Sequence, residues 1–199
     1  MKELVVATKN KGKLREIKEL LTGINVIITS LADYPGAPEI IEDGATFREN
    51  ALKKAVTIAA YTNQLTMGED SGLEVEALNN APGIYSARFS GENATDGDNN
   101  RKLMEALNGV PPEKRAARYR CCIALVDDEE TIDIVEGECP GMITAHARGT
   151  NGFGYDPYFL IPKYDKTFGE LDPSIKSKMS HRAYALQALR QTLKEYINR

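Results

Sequence analysis

Residues 4–23, LVVATKNKGKLREIKELLTG, decide the fold class. The run Leu4 to Ala7 is apolar, as a buried strand requires, and Leu14, Ile17 and Leu21 then recur at helical spacing until Gly23 stops the pattern. The polar TKNKGK lies between them, so the stretch predicts strand, loop and helix, the opening of an α/β or α+β chain.

Outward from this stretch the alternation continues. Asn25 to Thr29 predicts a second strand, and the Pro/Gly stretch Tyr34 to Pro38 a loop. Thr46 and Glu49 form a T-x-x-E capping box ahead of Ala51, Leu52, Ala55 and Ile58, which predicts a helix from about Phe47 to Tyr61. Leu65 to Gly68 predicts a short strand, and Asp98 to Leu107 a helix ended by Gly109. Ala116 to Val126 and Thr131 to Glu138 predict an antiparallel hairpin turned at the acidic DDEE. The closing helix follows Ser180 as N-cap and carries Leu186, Leu189, Leu193 and Tyr196 as its buried stripe. With no repeat or linker, the expectation is a single domain over residues 1–199.

Composition excludes several classes. Hydrophobic residues at 42% and charged residues at 27% are ordinary globular values, which removes disordered and fibrous chains. No apolar run is long enough to span a bilayer and no signal peptide precedes the first strand, so neither a membrane nor export is expected and the protein is predicted to be cytoplasmic. Cys121, Cys122 and Cys139 are three in number with no C-x-x-C spacing, which fits buried free thiols rather than disulfides or zinc. A net charge of −4 argues against a nucleic acid partner, because binding a phosphate backbone needs a basic face.

Four clusters carry chemistry. Thr8, Lys9, Asn10, Lys11, Gly12 and Lys13 sit where a strand meets a helix, and unpaired N–H groups at a helix start suit phosphate oxygens. A Walker A loop would need glycine at Ala7 and a hydroxyl at Leu14, so the other reading is a solvated basic helix start. Glu42 precedes Asp43 and Gly44, and Asp70 stands in Glu69-Asp70-Ser71-Gly72; such carboxylates can hold Mg2+, or Asp70 can close an Asx turn. GTNGFGYDP, residues 149–157, offers Phe153 and Tyr155 astride Gly154 with Asp156 as an acceptor, which fits either a base pocket or a tight turn with its aromatics in the core. Lys176, Ser180, His181 and Arg182 lie ahead of the last helix; Lys176 and Arg182 only donate hydrogen bonds, and against a purine edge they favour a 6-oxo over a 6-amino group.

In order along the chain, ATKNKGKLREI, EDGATFRENALKKA, EDSGLEVEALNNAPGIYSARFSG, GTNGFGYDPYF and KSKMSHRAYAL resemble the blocks of the inosine triphosphate pyrophosphatase family, also called Ham1-like, from residue 7 to beyond residue 185. The resemblance implies a magnesium-dependent hydrolase that converts ITP, dITP and XTP to monophosphate and pyrophosphate and so clears deaminated purines from the nucleotide pool. It implies a homodimer, and an elongated α/β fold with a long mixed central sheet flanked by helices, in two lobes about a central substrate cleft. Position by position, it assigns Thr8, Asn10 and Lys13 to the triphosphate, Glu42 and Asp70 to the metal, Asp70 also to base catalysis, and Ser71 to a substrate contact. Phe153, Gly154, Tyr155, Asp156, Lys176, His181 and Arg182 match its nucleobase pocket. Two positions depart from the pattern: Glu69 stands where many relatives have aspartate, and Tyr155 where some have tryptophan. The alternatives are a Maf-like pyrophosphatase acting on modified pyrimidine nucleotides, against which FGYD and S-H-R stand, and a nucleotide-binding module without turnover.

Overall fold

The computed structural model describes residues 2–128 and 130–198. Its elements are β1 (Lys2–Val6), α1 (Lys11–Leu20), β2 (Val26–Ser30), α2 (Phe47–Thr62), β3 (Leu65–Val75), α3 (Asp96–Ala106), β4 (Ala116–Asp127), β5 (Glu130–Ile143), β6 (Phe159–Ile161), β7 (Lys166–Thr167), α4 (Pro173–Met179) and α5 (His181–Ile197). Seven strands form a mixed sheet in the order β2-β1-β3-β4-β5-β6-β7. By contact the chain divides into two compact units: the first holds the chain through Asp70, Cys121–Gly137 and the chain from Arg182, and the second holds Ser71–Arg120 and Glu138–His181.

The first unit is a three-layer α/β arrangement that follows from strand parity. β1 pairs in parallel with β2 and with β3, in a register that sets Leu4 opposite Leu65 and Val6 opposite Met67. Side chains alternate across a strand. Leu4, Val6, Leu65 and Met67 accordingly pack against Ile17 and Leu21 from α1 and Leu186, Leu189 and Leu193 from α5. On the other parity, Val5 and Ala7 meet Ile58 of α2. Each fully buried leucine of α5 contributes roughly 1.5–3 kcal/mol. Gly68 lies on the α2 face, where a Cβ would stand 2.1 Å from the Ala51 carbonyl oxygen, so strand and helix touch backbone to backbone.

The second unit buries Leu73, Val75, Tyr119, Cys139, Phe159 and Phe168 with Leu103 and Leu107 of α3. β6 pairs antiparallel with both β5 and β7. Cys121, Cys122 and Cys139 are buried thiols outside any disulfide, and burial pushes the Cys139 thiol up to about 12.

Several expectations need correction. β3 does not stop at Gly68 but runs through Glu69-Asp70-Ser71-Gly72 to Val75, because both carboxylates find buried cationic partners and the chain has no need to turn into water. The capping box of α2 is half formed: Thr46 accepts from the Glu49 N–H, but the Glu49 carboxylate accepts from the Ala45 N–H. Helix α3 starts at Asp96, two residues early, on a reciprocal Thr95–Asp98 box. The turn expected at DDEE includes Glu129, which lies outside the described residues.

Candidate active site

In the first unit the start of α1 is closed by its own side chains. The Asn10 Oδ1 accepts from the N–H groups of Gly12 at 2.8 Å and Lys13 at 3.0 Å, and Thr8 Oγ1 accepts from Asn10 N–H at 3.1 Å. The backbone donors expected to face phosphate at Gly12 and Lys13 are therefore spent on the cap, and the cations carry the loop's anion-binding capacity. Lys9 and Lys11 are exposed, and Lys13 reaches Glu69 Oε1 at 3.3 Å.

The adjacent acids of β3 part company because a strand sends neighbours to opposite faces. Asp70 turns toward α2, where its Oδ1 accepts from Lys54 Nζ at 2.9 Å and its Oδ2 from Asn50 Nδ2 at 3.2 Å. Asn50 and Lys54 are one helical turn apart and so share a stripe. Lys54 Nζ also lies 2.9 Å from Glu42 Oε2, so two carboxylates from distant segments face one cation. Burial raises Asp70 above the ordinary carboxylate range against the pull of Lys54 and Lys13, with the like charge of Glu42 adding to the rise. Burial opposes the Lys54 charge too, but Asp70 and Glu42 outweigh it and hold the ammonium protonated. One ammonium shared by two acids is doubly supported, and an acid sharing that ammonium is not.

Glu69 turns the other way. Its two oxygens accept from Arg182 Nε at 2.9 Å and Nη2 at 2.8 Å, a bidentate pair with both side chains 1% exposed. Arg182 Nη1 donates to Glu16 of α1. Burial opposes the guanidinium charge, yet Glu69 and Glu16 hold it firmly protonated. The donors that the sequence offers to a purine edge at Arg182 thus have carboxylate partners here.

In the second unit the glycine-rich loop wraps around Asp156. Its Oδ2 accepts from the Phe153 N–H at 3.0 Å and from Lys176 Nζ at 2.6 Å. The same ammonium stands 5.0 Å from the Phe153 ring centre and 5.3 Å from that of Phe168. Phe153 is half-buried, and Tyr155 does not form the second stacking surface expected of it. Its ring is buried in the core and its hydroxyl donates to the Ser86 carbonyl at 2.8 Å, which suits an aromatic with a polar tip. His181 is buried against Tyr119, ring centres 4.7 Å apart and planes within 12°. Burial, then Asp156 and Tyr155, raise the Tyr119 phenol well above its usual range. Ser71 is half-buried, next along β3 from Asp70.

Sequence reading passed over Lys54, Glu16 and Tyr119. A signal existed for Lys54, since N-A-L-K-K puts it on the Asn50 stripe of an alanine-rich helix face. For Glu16 and Tyr119 no local pattern marks the residue.

Oxygen donors on two segments, directed at one cation, suit Mg2+, which takes one or two carboxylates and completes its shell with water and phosphate oxygens. Asp70 combines a raised proton affinity with fixed hydrogen bonds, as a general base requires.

The family model of the Ham1 family matches residues 4–192. The chain is 51% identical over 193 residues to the dITP/XTP pyrophosphatase of Shouchella clausii, with 97% of each chain covered. It is 48% identical over 191 residues to the dITP/XTP pyrophosphatase of Desulforamulus reducens, covering 96% of this chain and 95% of that one. Among solved structures, a Ham1 protein from Coxiella burnetii matches with a TM-score of 0.89 at 41% identity, over 98% of this chain and 100% of the other.

Proposed function

The chain belongs to the Ham1 family, and from that premise we propose that it is a dITP/XTP pyrophosphatase, hydrolysing deaminated purine nucleoside triphosphates to monophosphate and pyrophosphate. The observation that carries the reading is the Glu42–Lys54–Asp70 arrangement, the half-buried Glu42 and the buried Asp70 converging on one buried cation. Glu42 and Asp70 would hold Mg2+, and the bound ion supplies charge neutralisation at the phosphates and a more acidic water. Asp70 accepts the proton of the attacking water, its orientation fixed by Asn50 and Lys54. Lys13, with Lys9 and Lys11 beside it, binds phosphate oxygens, and it gives up part of its attraction to Glu69 to do so. In the second unit Phe153 offers the ring on which a purine stacks, with Lys176 as the donor to a 6-oxo group. A homodimer, cytoplasmic residence and independence from nucleic acids and membranes belong to the same reading; among the described residues no helix is long and apolar enough to cross a membrane.

Incubation with a panel of triphosphates, with and without magnesium, tests this. Pyrophosphate and monophosphate from dITP, ITP and XTP, far faster than from ATP and only with the metal, are expected. Orthophosphate with a diphosphate product overturns the reaction, turnover of modified pyrimidine nucleotides alone overturns the substrate, and binding without products overturns the enzyme.

A further inference from the structure

We propose that Asn100 and Asp96 of α3 are positioning residues for nucleobase recognition, holding both peptide groups of Gly154 and thereby the pose of Phe153. The inference rests on the nucleotide reading above and concerns residues that none of the site motifs includes.

Asn100 is buried, and its Nδ2 donates to the Gly154 carbonyl at 2.8 Å and to the Asp96 carbonyl at 2.8 Å. Both partners are acceptors, so only the NH2 end of the amide can face them. One turn earlier on the helix, Asp96 Oδ2 accepts from the Gly154 N–H at 2.7 Å. A single helix turn therefore takes the donor and the acceptor of one loop residue, much as a neighbouring strand does. Asp96 also sits in the first turn of α3, where the helix dipole favours a carboxylate.

Gly154 is where such a grip has an effect. Its φ is +62, and a Cβ built on it meets nothing within 4 Å, so packing does not hold the residue; its two hydrogen bonds do. The chain on either side is anchored independently, by Phe153 N–H to Asp156 upstream and by the Tyr155 hydroxyl to Ser86 downstream. The α3 end of the grip is equally fixed, since Asn99 donates to the Ala87 carbonyl and accepts from the Ser90 N–H. Freed from α3, the Gly154 peptide becomes a joint through which the Phe153 ring can swing from under Lys176.

The grip stabilises a binding pose equally before and during the reaction, so its loss weakens KM and spares kcat. Steady-state kinetics with dITP on the full chain read this split. Asn100→Asp, nearly isosteric but without a donor for the two carbonyls, is expected to raise KM about tenfold with kcat changed less than about twofold, as losing about 1.4 kcal/mol of hydrogen bonding implies. Asp96→Ala should raise KM about threefold and speed hydrogen exchange at the Gly154 amide, while Asp96→Asn, which keeps an acceptor, restores both. Should Asn100→Asp fail to fold, the Asp96 pair decides. Unchanged KM in the folded variants, equal losses in kcat and KM, or unaltered Gly154 exchange in Asp96→Ala each overturn the proposal. Wild-type protein inactive on dITP sinks the nucleotide reading instead, and the exchange experiment still reports on the grip.

Discussion

In the first unit, the groups that matter are charges taken out of water and matched to opposite charges: Asp70 on Lys54, Glu69 on Arg182. In the second, they are an aromatic ring and a shaped backbone, with one ion pair, Lys176 to Asp156, behind them. Buried charges are costly unless every partner is present, so the first cluster is sensitive to any single removal and to any ligand that brings charge of its own. An aromatic surface and a glycine turn respond to shape, and they lose affinity by degrees. The two units should therefore fail differently, the first in turnover and stability, the second in binding.

Four measurements sharpen or break that contrast. The largest effect is expected at Asp70: Asp70→Asn should lower kcat roughly 10²–10⁴-fold at saturating dITP and magnesium, the usual range for general base catalysis. Normal turnover in that variant removes Asp70 as the base and leaves the first unit without its chemistry.

Next comes stability. Arg182→Met leaves Glu69 and Glu16 facing a buried apolar chain, and breaking one side of a buried pair costs about 3–5 kcal/mol. Urea unfolding measures it, and replacing Glu69 with Met in the same chain should recover a large part. A single-variant loss under about 1 kcal/mol means the pair behaves as a surface bridge.

Phe153→Ala addresses the second unit. Stacking of a base on an aromatic is worth about 1–3 kcal/mol, so KM for dITP should rise about tenfold while kcat stays within about twofold. A fall in kcat matching that of Asp70→Asn erases the distinction between the units.

The smallest effect is a pH dependence. Asp70 holds its proton more readily in the folded chain than in the unfolded one, so its contribution to stability is present at low pH and lost as the pH rises through the raised value. In metal-free protein the melting temperature of Asp70→Asn should thus gain on that of wild type across that interval. A difference that shrinks with rising pH gives the opposite sign and means Lys54 overcompensates for the burial.

The legibility of the sequence divides along similar lines. β1 could be read as an unbroken apolar run, and α1, α2 and α5 because each repeats its apolar residues at a regular interval, as Leu186, Leu189 and Leu193 do. The continuation of β3 past Gly68 could not, since Glu69-Asp70-Ser71-Gly72 has the composition of a turn and becomes a strand only through partners elsewhere. The short β6, β7 and α4 fall in a stretch whose glycines and prolines mask any period. Among site residues, the motifs gave identities but not partners. Arg182 finds Glu69 at a separation of 113 residues and Glu16 at 166, distances at which no local pattern operates. Tyr155 stays ambiguous in the sequence for a related reason, because a tyrosine beside a glycine looks the same whether its ring faces a ligand or the core, where its hydroxyl meets Ser86.

Gly68 has a consequence for how the chain can vary. With Ala51's carbonyl 2.1 Å from where its Cβ would be, the position tolerates no side chain, and it lies two residues from Asp70 and on the same face. Any larger residue must lever β3 away from α2, separating Asp70 from Asn50 and Lys54 without touching any of them. A survey of random loss-of-function alleles would therefore meet this glycine as well as the acid beside it, so mutational intolerance in this protein marks the packing of β3 on α2 as well as the chemistry proposed for Asp70.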